Sequence, residues 1–139
     1  MGCDIHMVVE KQVGDRWIAI RLLDGYHCRP DDEWRSPVAR ARNYERFAAL
    51  AGVRGDGPPA KGVPEDLSET TRFLIEQYGN DGHSHSWLGI EEAIAIFKET
   101  EWNPERLSKF NREYPDYFYF GLEREIDKGP HRLVFWFDN

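Results

Sequence analysis

Cysteine is scarce in this chain: its 139 residues hold two, Cys3 and Cys28. So few exclude a disulfide framework, and their separation excludes a CxxC zinc knuckle. Long apolar runs are also missing. No stretch approaches the ~20 apolar residues of a membrane helix, and the first residues lack the basic and apolar regions of a secretory signal. A soluble, cytoplasmic protein with no membrane partner is expected. Positive charge is in deficit, with 18 Lys and Arg against 25 Asp and Glu and a net charge of −7. That sign is wrong for a general nucleic-acid coat, which works by releasing counterions from phosphates, so a phosphate partner must meet a local patch. No repeat, low-complexity tract or linker interrupts the chain, and its length gives one domain, 1–139. Disorder is excluded by a hydrophobic fraction of 40% with 14% aromatic residues, enough to build a core.

Residues 3–10 alternate as a strand does. Cys3, Ile5, Met7 and Val9 share one face, while Asp4, His6, Val8 and Glu10 share the other. Val13-Gly14-Asp15-Arg16 reads as a turn into an antiparallel partner, Trp17 to Leu22. Residues 24–38, broken by Gly25, Pro30 and Pro37, read as an irregular excursion. A helix is predicted from about Asn43, with Tyr44, Phe47, Ala48 and Ala51 on one face, Arg42 and Arg46 on the other, and Gly52 at its end. Glycines and prolines make 52–64 a long surface loop. A second helix runs from Ser68 as N-cap through Phe73, Leu74 and Tyr78 to Gly79-Asn80, and a third covers about Ile90 to Thr100 behind Gly89. A fourth starts at Asn103-Pro104 and carries Leu107 and Phe110. Tyr117 to Ile126 and Leu133 to Phe137 read as a second hairpin. The fold class is therefore α+β: an antiparallel sheet from N- and C-terminal hairpins, with three to four helices between them covering one face.

The histidines carry the chemistry. Asp4-Ile5-His6 and His83-Ser84-His85 each place two donors at i and i+2, which point the same way in extended backbone. Imidazole nitrogens and carboxylate oxygens select divalent ions, so Asp4, His6, His83 and His85 are a candidate three-histidine, one-carboxylate metal set, with zinc or manganese as the ion. Metal with an open position activates water and polarises a phosphoryl oxygen. Asp81 stands just before the second motif, to orient a histidine or act as catalytic base. The bland alternative is a segment that hydrogen-bonds the N–H groups of the following helix. Cys3 reads as a small buried apolar residue. His131, after a turn proline, reads as exposed, and His27-Cys28 diverge.

Two resemblances follow from these motifs. Asp4-Ile5-His6 and Gly82-His83-Ser84-His85 resemble the first and last motifs of the calcineurin-like metallophosphoesterases, but the motifs between them are missing, so the likeness is one of ligand types. More extensively, Met1 to His6, Arg42 to Arg54 and Asp81 to Leu88 are similar to a family of small uncharacterised proteins of bacteriophages and prophages. That resemblance implies a phage setting, in an infected or lysogenic bacterial host, and a shared site. It names no reaction.

Arg40, Arg42, Arg46 and Arg54 form a basic patch in an acidic chain, and Arg42, Arg46 and Arg54 are the candidate phosphate-binding residues for a nucleotide or a nucleic-acid backbone. The alternative for them is a solvated helix face paired with residues such as Glu45. Two functions are carried forward. One is a phage-type metal-binding protein that hydrolyses phosphodiesters or nucleotides. The other is a non-catalytic phage accessory protein that meets a host protein, for host interaction or counter-defence, with the histidine motifs as a structural clasp or structural metal site.

Overall fold

The computed structural model describes residues 2–22, 43–100 and 129–139. The elements are strands β1 (Asp4–Val13) and β2 (Arg16–Leu22), helices α1 (Tyr44–Ala51) and α2 (Glu69–Tyr78), strand β3 (Gly82–Gly89), helix α3 (Ile90–Glu99) and strand β4 (His131–Asp138). The four strands make one antiparallel sheet in the order β2-β1-β4-β3, an α+β arrangement. β1 and β2 are the predicted hairpin. Gly14, at φ 64°, opens its two-residue connection and supplies the positive φ that such turns need.

The C-terminal hairpin is different from the expectation. β4 lies between β1 and β3, so both its edges are occupied along its length. Its expected limb at 117–126 lies outside the described residues, as do the fourth helix at Asn103-Pro104, the excursion at 24–38, His27, Cys28 and Arg42. β3 runs through the second histidine motif, and its pattern is interrupted by a register shift between His83 and Ser86.

The helices do not all lie on one face. Phe47 and Leu50 of α1 and Ile90, Ala93, Ile94 and Phe97 of α3 cover the face formed by Cys3, Ile5, Met7, Val9, Leu133, Phe135 and Phe137. α2 covers the opposite face, where Leu74, Ile75 and Tyr78 pack on Val8, Leu22 and Trp136. A sheet buried on both sides explains why Val8, Val134 and Trp136 are apolar at positions that alternation would give to solvent. Phe73, placed by its spacing on the apolar side of α2, is instead 61% exposed. His131 is buried, with Nδ1 2.7 Å from the Gly129 carbonyl oxygen, contrary to its expected exposure.

Helices α1 and α2 both begin where the sequence places them. Asn43 accepts from the Arg46 N–H at 3.0 Å, and Ser68 Oγ accepts from the Thr71 N–H at 3.1 Å. Gly57 anchors the 52–64 loop on α1: a Cβ there would stand 1.8 Å from the Ala48 carbonyl oxygen, so only glycine lets the two backbones approach this closely. α2 is fastened by a buried ion pair. Glu10 is fully buried and accepts from the Ser68 N–H (3.1 Å), Thr71 Oγ1 (2.7 Å) and Arg132 Nε (2.8 Å). Arg132 also donates to Asp66 Oδ1 at 2.7 Å, and its guanidinium lies 4.1 Å from the Trp17 ring centroid. Glu10 thus satisfies donors at the start of α2 while Arg132 neutralises it.

Candidate functional site at the end of the sheet

One end of the sheet collects both histidine motifs. Asp4, Asp138 and Gly82 stand opposite one another in a row across β1, β4 and β3, and His6 stands opposite Trp136. Strand alternation puts Asp4, His6, Trp136 and Asp138 on the face that α2 covers. α2 ends there with Tyr78, whose hydroxyl lies 3.0 Å from His6 Nδ1. His6 Nε2 lies 3.1 Å from Asp138 Oδ2. A carboxylate only accepts, so Nε2–H donates to Asp138, and in a neutral ring Nδ1 is then the acceptor for the phenol. The ring also lies tilted against two aromatic rings, 4.2 Å from the Tyr78 centroid and 5.8 Å from that of Trp136. His6 is 7% exposed, and this chain of bonds ties together β1, β4 and α2.

The second motif does not behave as an i, i+2 pair. Ser84 has φ 54°, a left-handed conformation in a residue with a side chain, and it sits in the register shift between His83 and Ser86. Such a bulge re-aims side chains. His83 stands opposite Phe137 and stacks with it at 6.2 Å, so it belongs to the α1/α3 side. His85 belongs to the other side. Its Nε2 lies 3.5 Å from where a Cβ on Gly82 would stand, and Tyr78 Cβ lies 3.3 Å from the same point. The bulge is fixed from outside by the 52–64 loop, where the Gly62 N–H donates to the His85 carbonyl (2.8 Å) and the Lys61 N–H donates to Ser86 Oγ (3.0 Å). Burial, and then the neighbouring His83, hold the His85 imidazole below its usual range.

A second imidazole chain results on the half-buried side of the bulge. His83 Nδ1 lies 3.0 Å from Ser84 Oγ, and His83 Nε2 lies 3.3 Å from Asn139 Oδ1. The same tautomer logic applies: Nε2–H donates to the amide oxygen and Nδ1 accepts from the serine hydroxyl.

The predicted site residues therefore separate. Asp4, His6, His83 and His85 reach the same end of the sheet but on two faces, and among the described residues no group of three or more His, Cys, Asp and Glu side chains is arranged to hold a metal ion. Asp81 is exposed on the 3-10 turn Gly79–Asp81 that leads into β3. Arg46 points inward rather than toward a phosphate. It is 6% exposed, donates to Thr100 Oγ1 (3.0 Å) and the Phe97 carbonyl (2.9 Å), and lies 4.1 Å from the Phe97 centroid. Arg54 is exposed and lies 5.4 Å from the Tyr44 ring centroid. Tyr78, Ser84, Asp138 and Asn139 were missed as partners. For Asp138 a signal existed, since alternation back along Arg132, Val134 and Trp136 puts it on the face of β4 that His6 shares on β1.

Comparison with family models, with curated proteins and with solved structures gives no match.

Proposed function

We propose that the protein is a phage-type hydrolase of phosphodiesters or nucleotides that works by imidazole acid–base chemistry at the β3 bulge. The observation that carries this reading is His83, a half-buried imidazole whose Nδ1 meets a hydroxyl while Nε2 is oriented by Asn139. An imidazole in that setting takes a proton from an attacking oxygen and returns it to the leaving group. His6, buried and bonded on both ring nitrogens, holds the end of β4 in place and so positions Asn139, the residue after it. The phage setting comes from the likeness of the two histidine motifs to phage and prophage sequences.

The test is turnover of bis(4-nitrophenyl) phosphate and of a panel of linear and cyclic nucleotides by untagged protein. His83→Gln keeps a polar side chain but cannot cycle a proton, and it should lower kcat by about 10²-fold or more. No turnover of any substrate in the panel, or equal rates in the variant, would sink the reading. A second reading, the non-catalytic accessory protein with a structural clasp, draws on the burial of His6 at 7% exposure. It predicts that His6 variants lose stability while no histidine variant alters any rate.

A further inference from the structure

We propose that Ser84 is a covalent nucleophile, attacking a phosphodiester at phosphorus to form a phosphoseryl intermediate. The inference rests on the reading of His83 as the base, and adds to it the identity of the attacking oxygen. Three observations carry it. Ser84 Oγ lies 3.0 Å from His83 Nδ1, and His83 Nε2 lies 3.3 Å from Asn139 Oδ1, which is the order of nucleophile, base and orienting group that activates a hydroxyl. Ser84 also holds φ 54° at the β3 bulge, a left-handed conformation that is strained in a residue with a Cβ. Nucleophiles mounted on sharp strand-to-turn bends store strain in this way, because the bend lifts the side chain clear of its neighbours. Finally, the bulge is braced by the 52–64 loop through the His85 carbonyl and Ser86 Oγ, so the strained residue sits between fixed neighbours.

The chemistry balances without a further reactant. Ser84 Oγ bonds to phosphorus as its proton passes to His83 Nδ1. The bond from phosphorus to the leaving alcohol oxygen breaks, and that oxygen takes the proton from Nδ1. Water then attacks the phosphoserine, giving its proton to Nδ1, and Ser84 Oγ leaves and recovers it. The sum is a phosphodiester and water converted to a phosphomonoester and an alcohol. Asn139 acts through His83 and is a positioning residue. Tyr78, though bonded to His6 in the same order, belongs to the buried face.

Diisopropyl fluorophosphate is the probe, since serine attack forms the same Oγ–P bond and expels fluoride. The full chain is labelled, digested and mapped by mass spectrometry. The expected result is one adduct, on Ser84. Ser84→Gly suits the positive φ and should abolish the adduct while leaving the fold intact. His83→Gln should slow labelling by roughly 10²-fold. Asn139→Ala should slow it and Asn139→Asp should restore it, a rescue that a merely structural role would not produce. An unlabelled Ser84, or labelling independent of His83, overturns the inference. Turnover of bis(4-nitrophenyl) phosphate that persists in Ser84→Gly overturns the nucleophile but leaves His83 as a base acting on water. His83-dependent labelling of Ser84 without turnover of any phosphodiester keeps the activated serine but overturns the phosphodiester as its substrate.

Discussion

His6 and Asp138 are diagonal neighbours on adjacent strands. They are 132 residues apart in the chain, and a carboxylate oxygen lies 3.1 Å from Nε2. Because His6 is 7% exposed, removing Asp138 takes an acceptor from a buried donor. Asp138→Ala should cost about 1–3 kcal/mol in chemical denaturation, and Asp138→Asn, which keeps an acceptor oxygen, should cost clearly less. Equal losses in the two variants would mean that the bond to His6 contributes nothing specific.

The Glu10–Arg132 pair should be the most sensitive point of the fold. Arg132→Ala leaves the fully buried Glu10 carboxylate without its counter-charge and should cost about 3–5 kcal/mol. Replacing both residues by methionine should cost less than that single change, because no charge is then left buried. Urea midpoints of the single and double variants decide the matter, and a double variant less stable than Arg132→Ala would contradict this account.

His85 gives a pH dependence with a definite sign. Its folded-state affinity for a proton is lowered, by burial first and then by His83, from the ordinary imidazole value of 6.5. The unfolded chain therefore binds the proton more readily, and stability increases with pH wherever that is so. The contribution is fully present above 6.5 and is lost as pH falls from there through the folded-state value. His85→Gln should flatten the melting-temperature profile in that window and leave it unchanged above pH 7.5 or so. A profile of unchanged slope would assign the dependence to other groups.

Metal addition tests the ligand set expected from the two motifs. Zinc or manganese could use His6 Nε2 only by displacing Asp138 from it, and His83 and His85 lie on different faces of the bulge. Equimolar zinc or manganese should leave the melting temperature of untagged protein unchanged. A rise that disappears in a His6→Ala or His85→Ala variant would instead show that Asp4, His6, Asp138 and His85 rearrange around an ion.

Much of the local structure was legible because it is set by neighbouring residues. The Gly14 turn, the Asn43 and Ser68 caps, the Gly52 stop and the alternating faces of β1 all follow from chemistry within four positions. The site was legible only as a list of residue types. β3 escaped because Ser84 breaks the period-two pattern, so two histidines written as an i, i+2 pair end on opposite sides of the sheet. Arg46 escaped because its partners, Phe97 and Thr100, lie more than 50 residues away, and a guanidinium over an aromatic ring looks like surface charge in sequence. The second covered face escaped because Val8 and Trp136 reveal it only once β1 and β4 are known to be paired.

The position of β4 has a consequence for how the sheet forms during synthesis. Among the described strands it is the last in sequence and one of the two central ones in space, and it joins β3 to the β1–β2 hairpin. Until residues 131–138 leave the ribosome, a nascent chain has the hairpin and β3 without the strand that both pair with, and the faces that α1, α3 and α2 cover lack the part that β4 supplies. Pairing of β1 with β4 then closes a loop of more than 100 residues, a non-local step of the kind that slows folding. The sheet therefore closes only once β4 has been made, and the pairing edges of β1 and β3 that β4 will cover need shielding until then.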